Sequence, residues 1–291
     1  LMYLSGYLRF AFLTFWHLTK RPRSFDLIEV HSMPEALVLC ALVPRLLGVP
    51  VLLDVHDLTS ELFAVKFPGS RWLAAVRRSE RWAMRLASET ITVHDAYATV
   101  IRVAHGDVVG QLRTVLNSPD EERFTDRRWR EWGDDEVCFS FHGTLVHRYG
   151  VLTMVEAFRR VREELPGARL QVLGYGDARP ELVITIERLG VGEAVELSPG
   201  AVPVDEMPHL IGEAHIGLAP NLLNDFTKAI LPTKVLEYVA LGMPVIASRL
   251  PVLCEYFDEN AIYYVTPGDV DALAEAMIAT AGDPDAARLR A

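Results

Sequence analysis

Short apolar runs alternate with longer stretches in which apolar side chains recur every three or four positions, from Asp26 to the C-terminus. Asp26-Leu-Ile-Glu-Val, Val51-Leu-Leu-Asp-Val, Thr90-Ile-Thr-Val and Leu112 to Leu116 predict strands, and stretches 34–47, 70–87 and 95–104 predict helices between them. The rhythm restarts with strands predicted at 137–142, 168–173, 194–198, 215–219, 244–247 and 261–265, again separated by helical patterns. Strands that are nearly continuously apolar and joined by helices belong to parallel sheets covered on both faces. Between the two series, PDEERFTDRRWREWGDD at 119–135 is charged and has no apolar period. The pattern therefore predicts a Rossmann-like domain over 1–118, a linker over 119–135 and a second Rossmann-like domain over 136–291. Four strands in the first series against six in the second predict a first domain incomplete at its N-terminus.

Composition narrows the class. Half of the residues are apolar, which excludes disorder for most of the chain. The formal charge of −10 argues against a protein that coats nucleic acid. Cys40, Cys138 and Cys254 are odd in number and far apart, with no CxxC pair, which argues against a disulfide framework or structural zinc and fits a cytoplasmic protein. The opening LMYLSGYLRFAFLTFWHLTKRPR is aromatic and apolar, but Arg9 interrupts it and Lys20, Arg21 and Arg23 close it. That is too short for a bilayer span and lacks the features of a signal peptide. Two readings follow for residues 1–23: a buried or half-buried helix of the first domain, or a peripheral contact at the inner face of a membrane.

Open α/β sheets bind ligands beyond the carboxyl ends of their strands, so the loops there are the candidates for chemistry. Phe139-Ser-Phe-His-Gly-Thr-Leu-Val-His-Arg-Tyr-Gly150 is a strand running through a glycine loop into a helix. Gly143 permits close backbone approach there, and Arg148 offers a charge to a phosphate. Gly174-Tyr-Gly176 ends another strand but lacks the rest of a dinucleotide fingerprint. In LPTKVLEYVALGMPVIA (231–247), Pro232 and Thr233 open a short helix that Gly242 and Pro244 close. Lys234 in its first turn opposes the helix dipole, and Glu237 lies on the same face. An anion beside Lys234 and sugar hydroxyls on Glu237 would account for the pair; a surface i, i+3 ion pair is the alternative. His56 and Asp57 follow a strand, as does His31 less suggestively. Asp269-Val-Asp271 has the form of a DxD cation motif, but it directly precedes a helix, so capping explains it better. The nine histidines show no metal spacing along the chain.

Together these features resemble the retaining glycosyltransferases of family 4, which have the GT-B fold: two Rossmann-like, doubly wound parallel-sheet domains facing across a cleft. The resemblance rests on His56-Asp57, HGTLVHRYG at 142–150, the Gly174-Tyr-Gly176 turn and PTKVLEYVALGMPVIAS at 232–248, in the family's order. It implies a nucleotide-diphospho-sugar donor on the C-terminal domain and a saccharide or lipid-linked acceptor on the N-terminal one, with no cofactor and no required metal. It implies that Glu237 accepts the ribose hydroxyls and that Lys234 and Arg148 neutralise the departing diphosphate. Gly143 and Thr144 would line the diphosphate loop, and His56 with Asp57 would face the transferred sugar. The sequence departs from the family at Ala229, where an acidic residue is usual and for which Asp225 is the substitute at hand. It departs again at Thr144 and Tyr149, where basic residues are common, and before Leu1, where the family's first strand and glycine-rich loop would stand. The expected function is sugar transfer with retention in cell-surface polysaccharide or glycolipid synthesis. The alternatives are a nucleotide-sugar epimerase of similar fold and a non-catalytic binding module.

Overall fold

A computed structural model describes residues 2–57, 59–124, 129–133 and 136–291. The chain divides into two compact units, Leu1–Asn117 and Ser118–Ala291. In the first, β1 (Ile28–His31), β2 (Val51–Val55), β3 (Glu89–Thr92) and β4 (Gln111–Thr114) form a parallel sheet in sequential order. Val51, Leu53 and Val55 of β2 are buried, as expected of an inner parallel strand. The register sets His31 opposite Asp54.

The second unit carries β5 (Cys138–His142), β6 (Arg169–Leu173), β7 (Val195–Leu197), β8 (Ile216–Ala219), β9 (Val245–Ser248) and β10 (Ile262–Val265). Their order is β10-β9-β8-β5-β6-β7, all parallel. The chain walks outward from β5 to β7, then returns and walks from β8 to β10 on the other side. The order thus reverses between β5 and β8, the switch point of the sheet, where open α/β folds bind their ligands. Phe139 and Phe141 of β5 are fully buried against the apolar stripe Val151, Met154, Val155 and Phe158 of the helix Val151–Glu164.

Each of the ten predicted strands is found, and they are the ten strands among the described residues. Four local features differ from the sequence pattern. The stretch 34–47 is a 3-10 segment, Glu35–Ala41, followed by a short helix, Leu42–Leu46. Pro44, inside the short helix, has no N–H for the Cys40 carbonyl, so the 3-10 segment cannot close an α-helical bond at that residue. A helix over Thr59–Lys66, absent from the prediction, follows His56-Asp57. The helix Met2–Lys20 is mainly exposed rather than buried or half-buried. Leu18 is its buried contact, with Ala11 and Thr14 half-buried on the same stripe, while Leu8, Phe10, Phe12 and Trp16 are exposed. No helix among the described residues is long and apolar enough to cross a membrane. Finally, the charged segment 119–135 is tied to the second unit. Trp132 is buried in its core and donates its indole N–H to the Ala281 carbonyl at 2.9 Å, and Phe124 is buried too. Charge counting missed the Trp132 anchor; residues 125–128 and 134–135 of the predicted linker lie outside the described residues.

Backbone packing explains the glycines at the second sheet's carboxyl edge. Gly174 has φ +150°, and a Cβ there would fall 1.9 Å from the Gly143 carbonyl oxygen. Gly174→Ala is therefore expected to cost about 3 kcal/mol, from overpacking and strained backbone together. Thermal unfolding of the variant should show the second unit melting on the order of 10 °C lower; an unchanged melting temperature would refute this packing.

Candidate functional site

In the second unit, the loops after β5, β6 and β8 and the start of the helix Thr233–Ala240 meet at one place. Gly143 N–H donates to the Leu173 carbonyl, and a Cβ on Gly176 would fall 2.3 Å from the Leu145 carbonyl oxygen, so the first two loops run in backbone contact. A Cβ on Gly150 would fall 1.8 Å from the Pro220 carbonyl oxygen, and Leu222 N–H donates to the Arg148 carbonyl. The loop after β8 is thereby held against the other side of the glycine loop.

Lys234 enters this junction from the first turn of its helix. Its side chain is buried, at 7% exposure, and its Nζ has no hydrogen-bond partner. Nζ lies 3.7 Å from the centroid of the Phe141 ring and 4.9 Å from that of Tyr149, and it would be 3.6 Å from a Cβ on Gly143. Burial pushes its pKa down to about 7, with Glu237 partly countering. The i, i+3 ion pair with Glu237 does not form. The Tyr149 ring is also near Arg148, whose guanidinium carbon is 5.0 Å from that ring centroid and 5.3 Å from that of Phe226. Arg148 Nε is buried and unpartnered. Two cations thus share one aromatic ring, and among the described residues no carboxylate neutralises either of them. Cation–π contact compensates part of the desolvation but leaves N–H donors unused. This arrangement suits an anion.

Glu237 instead pairs with His142, through Oε2 and the imidazole Nε2. His142 sits at the end of β5, buried, edge-on to Tyr238 at 4.8 Å between centroids. Tyr238 in turn donates its hydroxyl to the Ser140 carbonyl at 2.8 Å. Burial lowers the His142 pKa against the opposing pull of Glu237, so the neutral ring donates Nε2–H to the carboxylate and leaves Nδ1 as an unpartnered acceptor. The Glu237 side chain keeps 25% exposure, enough to offer oxygen to a ligand. Asn221, just after β8, is fully buried with neither carboxamide atom partnered. Buried polar atoms are normally satisfied, so four such residues, Lys234, Arg148, His142 and Asn221, make this junction the candidate binding place.

The structure brings Gly143, Arg148, Gly174, Gly176, Lys234 and Glu237 together, with Thr144 exposed on the same loop. Asp225 is exposed to solvent, where Lys228 donates to its carboxylate at 2.7 Å and keeps its pKa below the usual range. Asp269 caps a helix by accepting from Ala272 N–H, as its position before the helix implied. Sequence reasoning missed His142, Tyr149 and Asn221 as individual site residues. For His142 and Asn221 the available signal was a polar side chain closing an otherwise apolar strand.

In the first unit, a second cluster lies at the carboxyl edge of the sheet. The buried Asp54 carboxylate accepts through Oδ2 from both His56 Nε2 at 2.7 Å and His31 Nδ1 at 3.0 Å. Ser32 Oγ accepts from the backbone N–H groups of His56 and Asp57. The Thr59–Lys66 helix is pinned at its start by buried acids: Glu80 accepts from Ser60 N–H and Glu35 from the Thr59 hydroxyl, each at 2.6 Å. Spacing along the chain hid the histidine pair, yet the ligand atoms of His31, Asp54 and His56 lie within 4.8 Å of one another, a set that could hold a metal ion. Both imidazoles already direct a proton to the same carboxylate oxygen, which accounts for the cluster without one.

The family described as glycosyl transferases group 1 matches residues 136–283, and a glycosyl transferase 4-like domain matches residues 3–118. The 2-deoxystreptamine glucosyltransferase of Streptomyces kanamyceticus is 25% identical over 272 residues, covering 89% of this chain and 69% of that protein. The sulfoquinovosyl transferase SQD2 of Arabidopsis thaliana is 25% identical over 258 residues, 84% of this chain and 48% of that one. The amylovoran biosynthesis glycosyltransferase AmsK of Erwinia amylovora is 28% identical over 136 residues, 46% of this chain and 33% of that one. The chain thus spans between a third and about two thirds of these relatives. Among solved structures, sucrose-phosphate synthase from Thermosynechococcus elongatus superposes with a TM-score of 0.70 at 21% identity, covering 91% of this chain and 67% of that one. HepE of Anabaena, in complex with UDP, does so with 0.70 at 15% identity, covering 95% and 75%. The fold shared with these structures is GT-B.

Proposed function

Since the chain belongs to the glycosyl transferases group 1 family, we propose that it moves a sugar from a nucleotide-diphospho-sugar to a saccharide or lipid-linked acceptor, with retention, in cell-surface polysaccharide or glycolipid synthesis. The observation that carries this reading is the pair of uncompensated cations, Lys234 and Arg148, each within about 5 Å of the Tyr149 ring centroid, in the same junction as Glu237. The donor diphosphate takes the place of the absent counterion, and the nucleotide ribose donates its hydroxyls to Glu237, which His142 holds in position. Asn221 offers a neutral donor and acceptor to the same ligand.

In the proposed step, the bond between the anomeric carbon and the phosphate oxygen breaks while the acceptor oxygen bonds to that carbon from the same face. The departing phosphate takes the acceptor's proton. No protein nucleophile is needed. The chain's contribution is to stabilise the charge that develops on the leaving diphosphate, through Lys234 and Arg148. Those two cations do the work that a divalent metal does in other transferases, so a metal is not required. In this reading His56, oriented by Asp54, and Asp57 contact the transferred sugar, and the acceptor binds on the first unit. Residues 1–23, with Phe12 and Trp16 exposed beyond the Leu18 stripe, bring the protein to a membrane surface that carries the acceptor.

Calorimetric titration with UDP, GDP, ADP, CDP and dTDP tests this, with and without magnesium, at pH 7 and pH 9. One nucleotide is expected to bind at pH 7 without the metal. An anion favours the charged form of Lys234, so above its pKa of about 7 the empty site must take up a proton to bind, and affinity falls by up to about tenfold per pH unit. Absence of binding by every nucleotide would overturn the donor site. An affinity independent of pH would remove Lys234 from it. Product analysis by NMR then separates transfer from epimerisation: transfer requires an added acceptor and keeps the donor's anomeric configuration.

A further inference from the structure

We propose that the outward face of the helix Leu73–Leu86 in the first unit docks onto an anionic phospholipid bilayer. The helix buries Glu80, Ala83 and Met84 inward. On the opposite face Arg78, Trp82 and Arg85 follow at i, i+4 and i+7, and Arg71 and Trp72 stand exposed just before the helix, around one hollow with Arg78. Trp72 and Trp82 are 64% and 60% exposed, unusual for the largest apolar side chain when nothing covers it. Two open hollows lie between these side chains. One, of about 470 Å³, is lined by Arg71, Trp72 and Arg78; the other, of about 300 Å³, by Arg78, Arg81, Trp82 and Arg85.

Charge argues for the occupant. Five arginines fall within residues 71–86 of a chain whose net charge is −10, and the one acid among them, Glu80, is turned inward. Arg81 is paired with Asp107 and Arg77 lies 3.9 Å from Glu61. Among the described residues, no carboxylate pairs with Arg71, Arg78 or Arg85. An ordinary solvated helix face intersperses both signs; this one presents one sign together with two indoles. Indole rings flanked by guanidinium groups suit the headgroup level of a bilayer, where the ring is half in apolar surroundings and the cation meets phosphate. This contact extends the membrane reading of residues 1–23 through a different element and does not depend on the donor site.

The test uses the full chain and vesicles of phosphatidylcholine with or without about 30% phosphatidylglycerol, matching an anionic leaflet. Cosedimentation should require the anionic lipid and should be reversed by high salt. Changing Arg71, Arg78 and Arg85 together to Gln is expected to weaken partitioning by about a hundredfold, at roughly fivefold per basic residue at the surface. Brominated lipid should quench indole fluorescence in the unaltered protein, and the conservative Trp72→Phe/Trp82→Phe variant should lose most of that quenching. Trp16→Phe reports on the N-terminal helix separately, so its failure removes only the contact of residues 1–23. In a Trp16→Phe background, quenching that survives the further changes Trp72→Phe and Trp82→Phe, equal binding to neutral vesicles, or no vesicle binding at all would overturn the proposal.

Discussion

Lys234→Met is expected to lower the rate of sugar transfer by about 10²–10³-fold, the scale of losing one preorganised charge-stabilising donor, while making the empty protein more stable. The two effects have one cause. The amine is buried without a partner, and its pKa is pushed from 10.5 to about 7. At pH 7 that shift corresponds to a stability cost on the order of 4 kcal/mol relative to an amine left in water. Methionine keeps the volume and the contacts with Phe141 and Tyr149 while removing the desolvated group. The melting temperature of the ligand-free variant should rise by several degrees, as happens when a strained functional group is replaced.

The pH dependence has a definite sign. With the folded pKa below the unfolded one, the unfolded chain binds the extra proton between about pH 7 and 10.5, so this group's contribution to stability increases as pH rises through that window. The variant should lose that slope. Thermal scans across pH together with turnover assays check both halves. A variant that is both active and less stable would mean that Lys234 has a structural partner and no part in the chemistry.

Glu237→Ala is expected to weaken nucleoside-diphosphate binding by about 10–100-fold, from the loss of hydrogen bonds between ligand hydroxyls and a charged acceptor. It also strands the buried His142 N–H, which costs about 1–3 kcal/mol of stability. Glu237→Gln separates the two roles. Its amide oxygen still accepts from His142, so stability should be nearly restored, whereas the ribose contact loses its charge and affinity stays reduced. Calorimetry on both variants, with melting curves beside it, decides the matter. Equal nucleotide affinity in Glu237→Ala and the unaltered protein would place the ribose elsewhere.

Much of the architecture was legible in the chain. Buried parallel strands need apolar residues on both faces, and helices need a stripe every three or four positions, so both series of strands could be placed from the pattern. Where that reading went astray, one or two side chains decided. Pro44 withholds an α-helical hydrogen bond from the end of a 3-10 segment; Trp132 drew a charged stretch onto a core; and the stripe Ala11, Thr14 and Leu18 seated a helix whose aromatic residues look outward.

Lys234 and Glu237 could be picked out because a lysine in the first turn of a helix opposes the dipole without an apolar reason. Which partner each would find could not be read in the same way. His142 stands 95 residues from Glu237, and the two meet because β5 and the helix Thr233–Ala240 flank the point where the strand order reverses. Asp54 gathers His31 from 23 residues away through the register of β1 on β2. Local periodicity is a property of neighbouring residues, so the sequence by itself determined the strands, their parallel arrangement and the loops at the carboxyl edges of the sheets. Pairing, burial and the consequent pKa depend on distances across strands and loops. The tertiary structure alone therefore decided that Lys234 would be left buried without a counterion, and that is the feature an anionic donor would complete.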